Sequence, residues 1–176
     1  HVIGDAAAQY TLDALQAMVA TNGERDSRHS FAHLQLAQPE DIRRMGELGL
    51  SVHTSPYWMN LDDYFWKLNL PYLGHERAFY HQYPFNSLFE AGVNVTIASD
   101  FWVTEPNPLS AIYGGMTRQV SQQEFDSGYG SESGYRRVSD PTAELEAGDL
   151  GVLPPLEERA SLEKMIIAST LNGAYA

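Results

Sequence analysis

Short apolar or β-branched runs alternating with amphipathic helical stretches predict an α/β fold for this chain. Three observations carry that expectation. Four strand candidates are each separated by at least one helical stretch. Apolar residues make up 43% of the chain and aromatic residues 11%, enough for a buried core. Charged residues make up only 19%, too few for a charge-swollen disordered chain. The 176 residues are one domain's worth of polypeptide. Both a doubly wound sheet and an eight-stranded barrel fit the alternation. Four strands cannot close a standard (β/α)8 barrel, which typically takes about 250 residues, so a barrel reading implies roughly half of one.

The elements follow in order. His1-Val2-Ile3-Gly4 is the first strand candidate, and Asp5 can cap a helix whose apolar positions Tyr10, Leu12, Leu15, Met18 and Val19 recur at helical spacing until Asn22-Gly23 stops it. His29 to Gln35 reads as a short buried strand. Pro39 suits a first helical turn, Glu40 and Asp41 favour its positive end, and Ile42, Met45 and Leu48 form the inward stripe before Gly49 ends it. Leu50 to Thr54 is the next strand. The segment from Ser55 to about Gln82 lacks a clean period and is dense in aromatic residues, which predicts a packed loop with short helices. Pro84 to Ala91 gives a helix closed by Gly92, and Val93 to Asp100 a β-branched strand ending in an acid. A helix follows from Pro108 to near Arg118. From Ser121 to about Pro155 the composition turns to Ser, Gly, Glu and Asp, which predicts a surface excursion. Glu157 to Ala168 restores a helical pattern, and Thr170 to Tyr175 makes a compact terminal turn.

Charge narrows the partners. With 11 Lys plus Arg against 23 Asp plus Glu, the net charge of −12 repels phosphate backbones and anionic membrane surfaces, leaving small molecules and cations. No run approaches the roughly 18 apolar residues of a membrane span. Without cysteine there is no disulfide, thiolate nucleophile or thiolate metal site, so any metal must use His and carboxylate. The opening His1-Val2-Ile3-Gly4-Asp5 has neither an initiator Met nor a signal-peptide layout, and reads as the middle of a longer polypeptide. A cytoplasmic location is the working expectation.

In parallel α/β folds the functional residues gather at the carboxyl ends of strands. His1, His33 and Asp100 meet that placement. Two imidazoles and a carboxylate suit zinc or a similar divalent ion. A metal-bound water loses its proton near neutral pH, and an adjacent Asp can pass that proton to a leaving group. Each residue also has a plainer reading, His33 as a hydrogen-bonded core histidine and Asp100 as a turn cap. Their joint placement at equivalent strand ends is what favours the metal.

His1-Val2-Ile3-Gly4-Asp5 with Leu12-Asp13-Ala14, Arg28, Ala32-His33-Leu34-Gln35, Leu48-Gly49 and Ala91-Gly92-Val93 leading to Ala98-Ser99-Asp100 resemble the amidohydrolase superfamily. Asn107-Pro108-Leu109, Thr117-Arg118 and Thr170 to Ala176 are similar to the branch that includes N-substituted formamide deformylase. The resemblance implies a partial (β/α)8 barrel, roughly strands 5 to 8 with their helices. His1, His33 and Asp100 would then be metal ligands, and Asp100 also the catalytic proton shuttle. It implies a centre of one or two ions, with zinc the expected metal, hydrolysing an amide or other non-peptide C–N bond. The family's first-strand His-x-His pair is absent, and Lys67 and Lys164 do not match its fourth-strand lysine. Ala32 stands where the family often has Glu, and Ala7 where Arg is common.

His53 and Trp102 are candidate substrate contacts, each set against packing. Trp58, Tyr64, Phe65 and Trp66 can wall a pocket or form loop core, while His75 and His81 read as loop residues. Arg77 and Arg118 can bind an anionic substrate group or, by default, pair with the surplus acids. The rival to a hydrolase is a non-catalytic fragment or subunit that needs the missing barrel half or a second copy. A doubly wound binding domain ranks last, because Gly128, Gly130 and Gly134 follow no strand and lack phosphate-loop spacing.

Overall fold

A computed structural model describes residues 1–129 and 134–176. Three short strands, β1 (Ser30–Ala32), β2 (Ser51–Thr54) and β3 (Asn94–Ile97), form a parallel sheet in chain order. Val2 extends the row by a parallel bridge to His33 on the free edge of β1. The first strand candidate is therefore a single bridge, and each later strand is shorter than its apolar run. Residues that turn the chain out of the ladder account for this, since His33 (φ 76°), Leu34 (φ 48°) and Asp100 (φ 52°) all lie in the left-handed region.

The two faces of the sheet differ. Phe31, Val52 and Val95 stand in register on one face and are buried. On the other, Ser51 opposes Asn94, and Ala32, His53 and Thr96 form the next row. The apolar face belongs to the main core with Leu12, Met45, Leu88 and Met165, which come from the covering helices. In chain order the helices among the described residues are α1 (Asp5–Asn22), α2 (Pro39–Glu47), α3 (Leu70–Leu73), α4 (His75–Tyr80), α5 (Phe85–Glu90), α6 (Pro108–Thr117), α7 (Gln122–Glu124), α8 (Leu162–Ser169) and α9 (Leu171–Tyr175), and α1, α2, α5 and α8 supply those four core residues. Gly4, not Asp5, takes the cap position of α1, and Asp5 becomes its first helical residue, where a carboxylate favours the positive end.

The aromatic segment is packed as expected. It holds a tight turn at Pro56–Trp58, a π-helical turn at Phe65–Asn69, then α3 and α4. Phe65 and Phe79 meet edge to face at 4.7 Å in its buried centre. α6 crosses the Pro56–Trp58 turn so closely that a Cβ at Gly114 would collide with the Pro56 carbonyl.

The polar stretch from Ser121 to Pro155 stays at the surface as far as Gly148 among the described residues and turns into the core only at its end. Its strands β4 (Arg136–Arg137) and β5 (Asp149–Leu150) pair in parallel, and Leu150, Val152 and Leu153 are buried. Trp66 Nε1 donates to the Asp149 carbonyl at 2.9 Å, so the aromatic segment supplies the apolar surface that a polar composition does not reveal. Residues 130–133, including Gly130, lie outside the described residues. Among the described residues, no helix is long and apolar enough to cross a membrane.

Candidate metal centre

Backbone pairing at one sheet edge brings two imidazoles together. Val2 N–H donates to the Ala32 carbonyl at 3.1 Å, and Leu34 N–H donates to the Val2 carbonyl at 2.8 Å, which sets His1 beside His33. His1 Nδ1 and His33 Nε2 lie 3.0 Å apart, with ring centroids 4.8 Å apart. The His33 N–H donates to the His53 carbonyl at 2.8 Å, which fixes this strand end against β2. His33 holds a left-handed conformation uncommon for a residue with a side chain, a form of local strain that concentrates at functional sites.

Trp58 supports His33. Its ring stacks on His33 with centroids 5.7 Å apart and planes at 17°. Its Nε1 donates to Thr104 Oγ1 at 2.8 Å, and the neighbouring Tyr57 hydroxyl donates to the Asn107 carbonyl at 2.9 Å. The loop that follows Asp100 is thereby tied to the ring under His33. Sequence reading placed Trp58 only in a general aromatic group and missed Thr104. A lone Thr in a loop gives no periodic signal.

Asp100 sits exposed beyond the end of β3. Among the described residues, no group of three or more His, Cys, Asp or Glu side chains is placed to hold a metal, so the structure joins His1 with His33 and does not add Asp100 to them. His53 is half-buried, and its Nδ1 pairs with Thr96 Oγ1 at 2.5 Å, its register partner on β3. Thr96 was also missed, although parallel register makes it readable once both strands are placed. Trp102 is 88% exposed and stacks on Phe101 with centroids 4.3 Å apart.

The remaining candidates divide. Phe65 is buried core, Trp66 packs at its edge and Tyr64 is exposed. His75 lies exposed against Phe79 and His81 is exposed. Arg77 pairs with Asp5 at 2.7 Å, joining α4 to the start of α1. Arg118 neither faces solvent nor forms an ion pair among the described residues. It is fully buried and donates to the carbonyls of Leu153, Tyr83, Gln82 and Pro154. The expected pairing with surface acids fails because the chain folds residues 153–154 over it, where carbonyls accept its protons. Asn172, in the terminal motif, anchors α9 to the sheet by donating to the Val95 carbonyl at 2.8 Å.

Comparison with known proteins gives four further findings. The model of the amidohydrolase family matches residues 1–176. Protein LONG AFTER FAR-RED 3 of Arabidopsis thaliana is 35% identical over 112 residues, which are 64% of this chain and 19% of that protein. The crystal structure of an uncharacterized metal-dependent hydrolase from Pyrococcus furiosus superposes with a TM-score of 0.64 at 19% identity, covering 98% of this chain and 27% of that one. An uncharacterized metal-dependent hydrolase from Pyrococcus horikoshii OT3 superposes with a TM-score of 0.50 at 15% identity, over 66% of this chain and 22% of that one. At these identities the structural likeness is one of fold. The chain spans less than a third of each of these relatives.

Proposed function

Because the chain belongs to the amidohydrolase family, we propose that it contributes His1, His33 and Asp100 to a divalent-metal centre, with zinc the preferred ion. That centre hydrolyses an amide or other non-peptide C–N bond of a small molecule. The observation that carries this reading is the His1–His33 contact. Two imidazole nitrogens 3.0 Å apart, at hydrogen-bond distance, need to part only slightly to stand about 3.3 Å from each other, the spacing of tetrahedral ligands about 2.0–2.1 Å from one ion. When bound, a divalent ion supplies Lewis acidity and a more acidic water.

The chain's own residues do the rest. Trp58 holds the His33 ring, and the Val2 ladder holds His1 against it. The Asp100 carboxylate takes a proton from water and returns it to the leaving nitrogen. Support for its role comes from Thr104, four residues on, which accepts the hydrogen bond of the indole under His33. Trp102, next but one to Asp100, offers apolar surface to a substrate, and His53 keeps Nε2 free for it while Nδ1 is engaged by Thr96. The finer assignment to the N-substituted formamide deformylase branch, and the choice between one ion and two, rest on resemblance of short motifs.

A second reading has its own support. With two imidazoles together and β3 carrying no strand on its outer edge among the described residues, the chain is a non-catalytic piece until the other barrel half, or a second copy, completes it. Titration with cobalt(II) and zinc(II) tests both. The first reading expects roughly one ion per chain at a site that His33→Ala abolishes and Asp100→Asn weakens at least tenfold. Metal uptake unchanged by His33→Ala would sink it. Metal binding without hydrolysis of simple N-substituted formamides would favour the second.

A further inference from the structure

We propose that the cavity at the amino ends of the strands is a second binding pocket, built for a small monoanion with an apolar body, such as a medium-chain carboxylate. It lies at the other end of the sheet from the His1–His33 pair, because His29 and Leu50 directly precede β1 and β2. Its volume of about 280 Å³ sits at the low end of the roughly 300–1,000 Å³ typical of ligand pockets, so its ligand is small.

One wall is apolar. Leu15, Met18 and Val19 of α1 face Leu48 and Leu50 across it. The other wall carries Arg25 and Arg28, with His29 beside them, in a chain whose net charge is −12. Asp26 is the one carboxylate in the lining, and it is already engaged by Arg28 Nε at 3.1 Å. Arg28 is further fixed by donating to the Tyr175 carbonyl at 3.0 Å and by lying 4.5 Å above that ring. Its charge is therefore already paired within the wall.

Arg25 is different. Its Nε donates to Ser27 Oγ at 3.1 Å, and no carboxylate pairs with it among the described residues. The rest of its guanidinium fork is free to take a carboxylate in two parallel hydrogen bonds. His29 borders the same wall half-buried, with its Nε2 shut off from solvent and so beyond the reach of a ligand. An anionic head at Arg25 with a tail along Met18 and Val19 uses both walls at once.

Titration of the full chain with octanoate, octanamide and inorganic phosphate tests this, followed by calorimetry and by the NMR signal of the Met18 methyl. Octanoate is expected to bind saturably at one site and shift that methyl. Octanamide and phosphate should each bind at least tenfold more weakly. Arg25→Ala should weaken octanoate at least tenfold, with partial recovery in Arg25→Lys. Because Arg25 is exposed, neither variant threatens folding. Absence of saturable octanoate binding, equal binding of octanamide or phosphate, or an Arg25→Ala variant that binds like the parent would overturn the proposal. Metal uptake at His1 and His33 is unaffected in every case, so the two sites fail or stand separately.

Discussion

Arg118 shows how far a single side chain can depart from the role its chemistry suggests. Its guanidinium brackets two chain segments, with hydrogen bonds of 2.9 Å to each of Leu153, Tyr83 and Gln82 and 3.3 Å to Pro154. Burial pulls its pKa down to about 10, so it stays charged at neutral pH while Glu158 favours that charge. The same burial, with Asp62 nearby, pushes the neighbouring Tyr83 phenol up. Replacing Arg118 with Met leaves the carbonyls of Leu153, Gln82 and Pro154 without a donor, while that of Tyr83 still accepts from the Phe85 N–H. Each unsatisfied buried acceptor costs about 1–3 kcal/mol, so Arg118→Met is expected to lose about 3 kcal/mol or more, at the upper end of common single-substitution effects. Urea denaturation measures it, and a loss below about 1 kcal/mol would show that the carbonyls find other partners.

At the scale of elements, β4 and β5 are held less by strand length than by one ion pair. Arg136 reaches across the pairing to grip both oxygens of Asp149 at 3.0 and 2.7 Å, and Glu146 N–H donates to the same carboxylate at 2.9 Å. The Arg136 hydrogen bonds hold the Asp149 carboxyl below the usual aspartate range, outweighing the opposing push of its burial. A depressed folded-state pKa gives stabilisation that is complete above the unfolded value of about 3.9 and lost as pH falls through the folded value. Stability should therefore drop below about pH 4, and part of that drop should vanish in Arg136→Ala. Trp66 fluorescence reports it locally, since its Nε1 is bonded to the Asp149 carbonyl. Identical acid profiles for parent and variant would rule out this pair as the source.

Across the whole molecule, several surfaces look unfinished for an isolated chain. β3 ends the row without an outer neighbour among the described residues. Leu162, Ile166, Leu171 and Tyr175 are exposed on α8 and α9, and Phe101, Trp102, Val103 and Leu109 are exposed beside Asp100. Exposed sheet edges and clustered apolar side chains both favour association. Size-exclusion chromatography with light scattering should accordingly show an apparent mass that climbs with concentration. A constant monomer mass would mean these surfaces are tolerated in water.

The α/β class, the alternation of β1 to β3 with their helices and the placement of His1 and His33 at neighbouring strand ends were legible in the sequence, because they rest on local signals: period, turn residues and the position of a residue at the end of an apolar run. His1 and His33 could be paired on paper since parallel strands in chain order put equivalent ends side by side. The burial of residues 149–153 at the end of the polar stretch leaves no such signal, because it comes from Trp66 and Arg118, partners distant in the chain. Asp100 was placed at the right strand end, yet its exposed, left-handed position depends on how the following loop docks through Thr104 and Trp58. Which residue types stand at the strand ends follows from local backbone preference and can be read in the chain itself. That Asp100 does not join the two histidines is set by packing between segments tens of residues apart, which leaves no period to read.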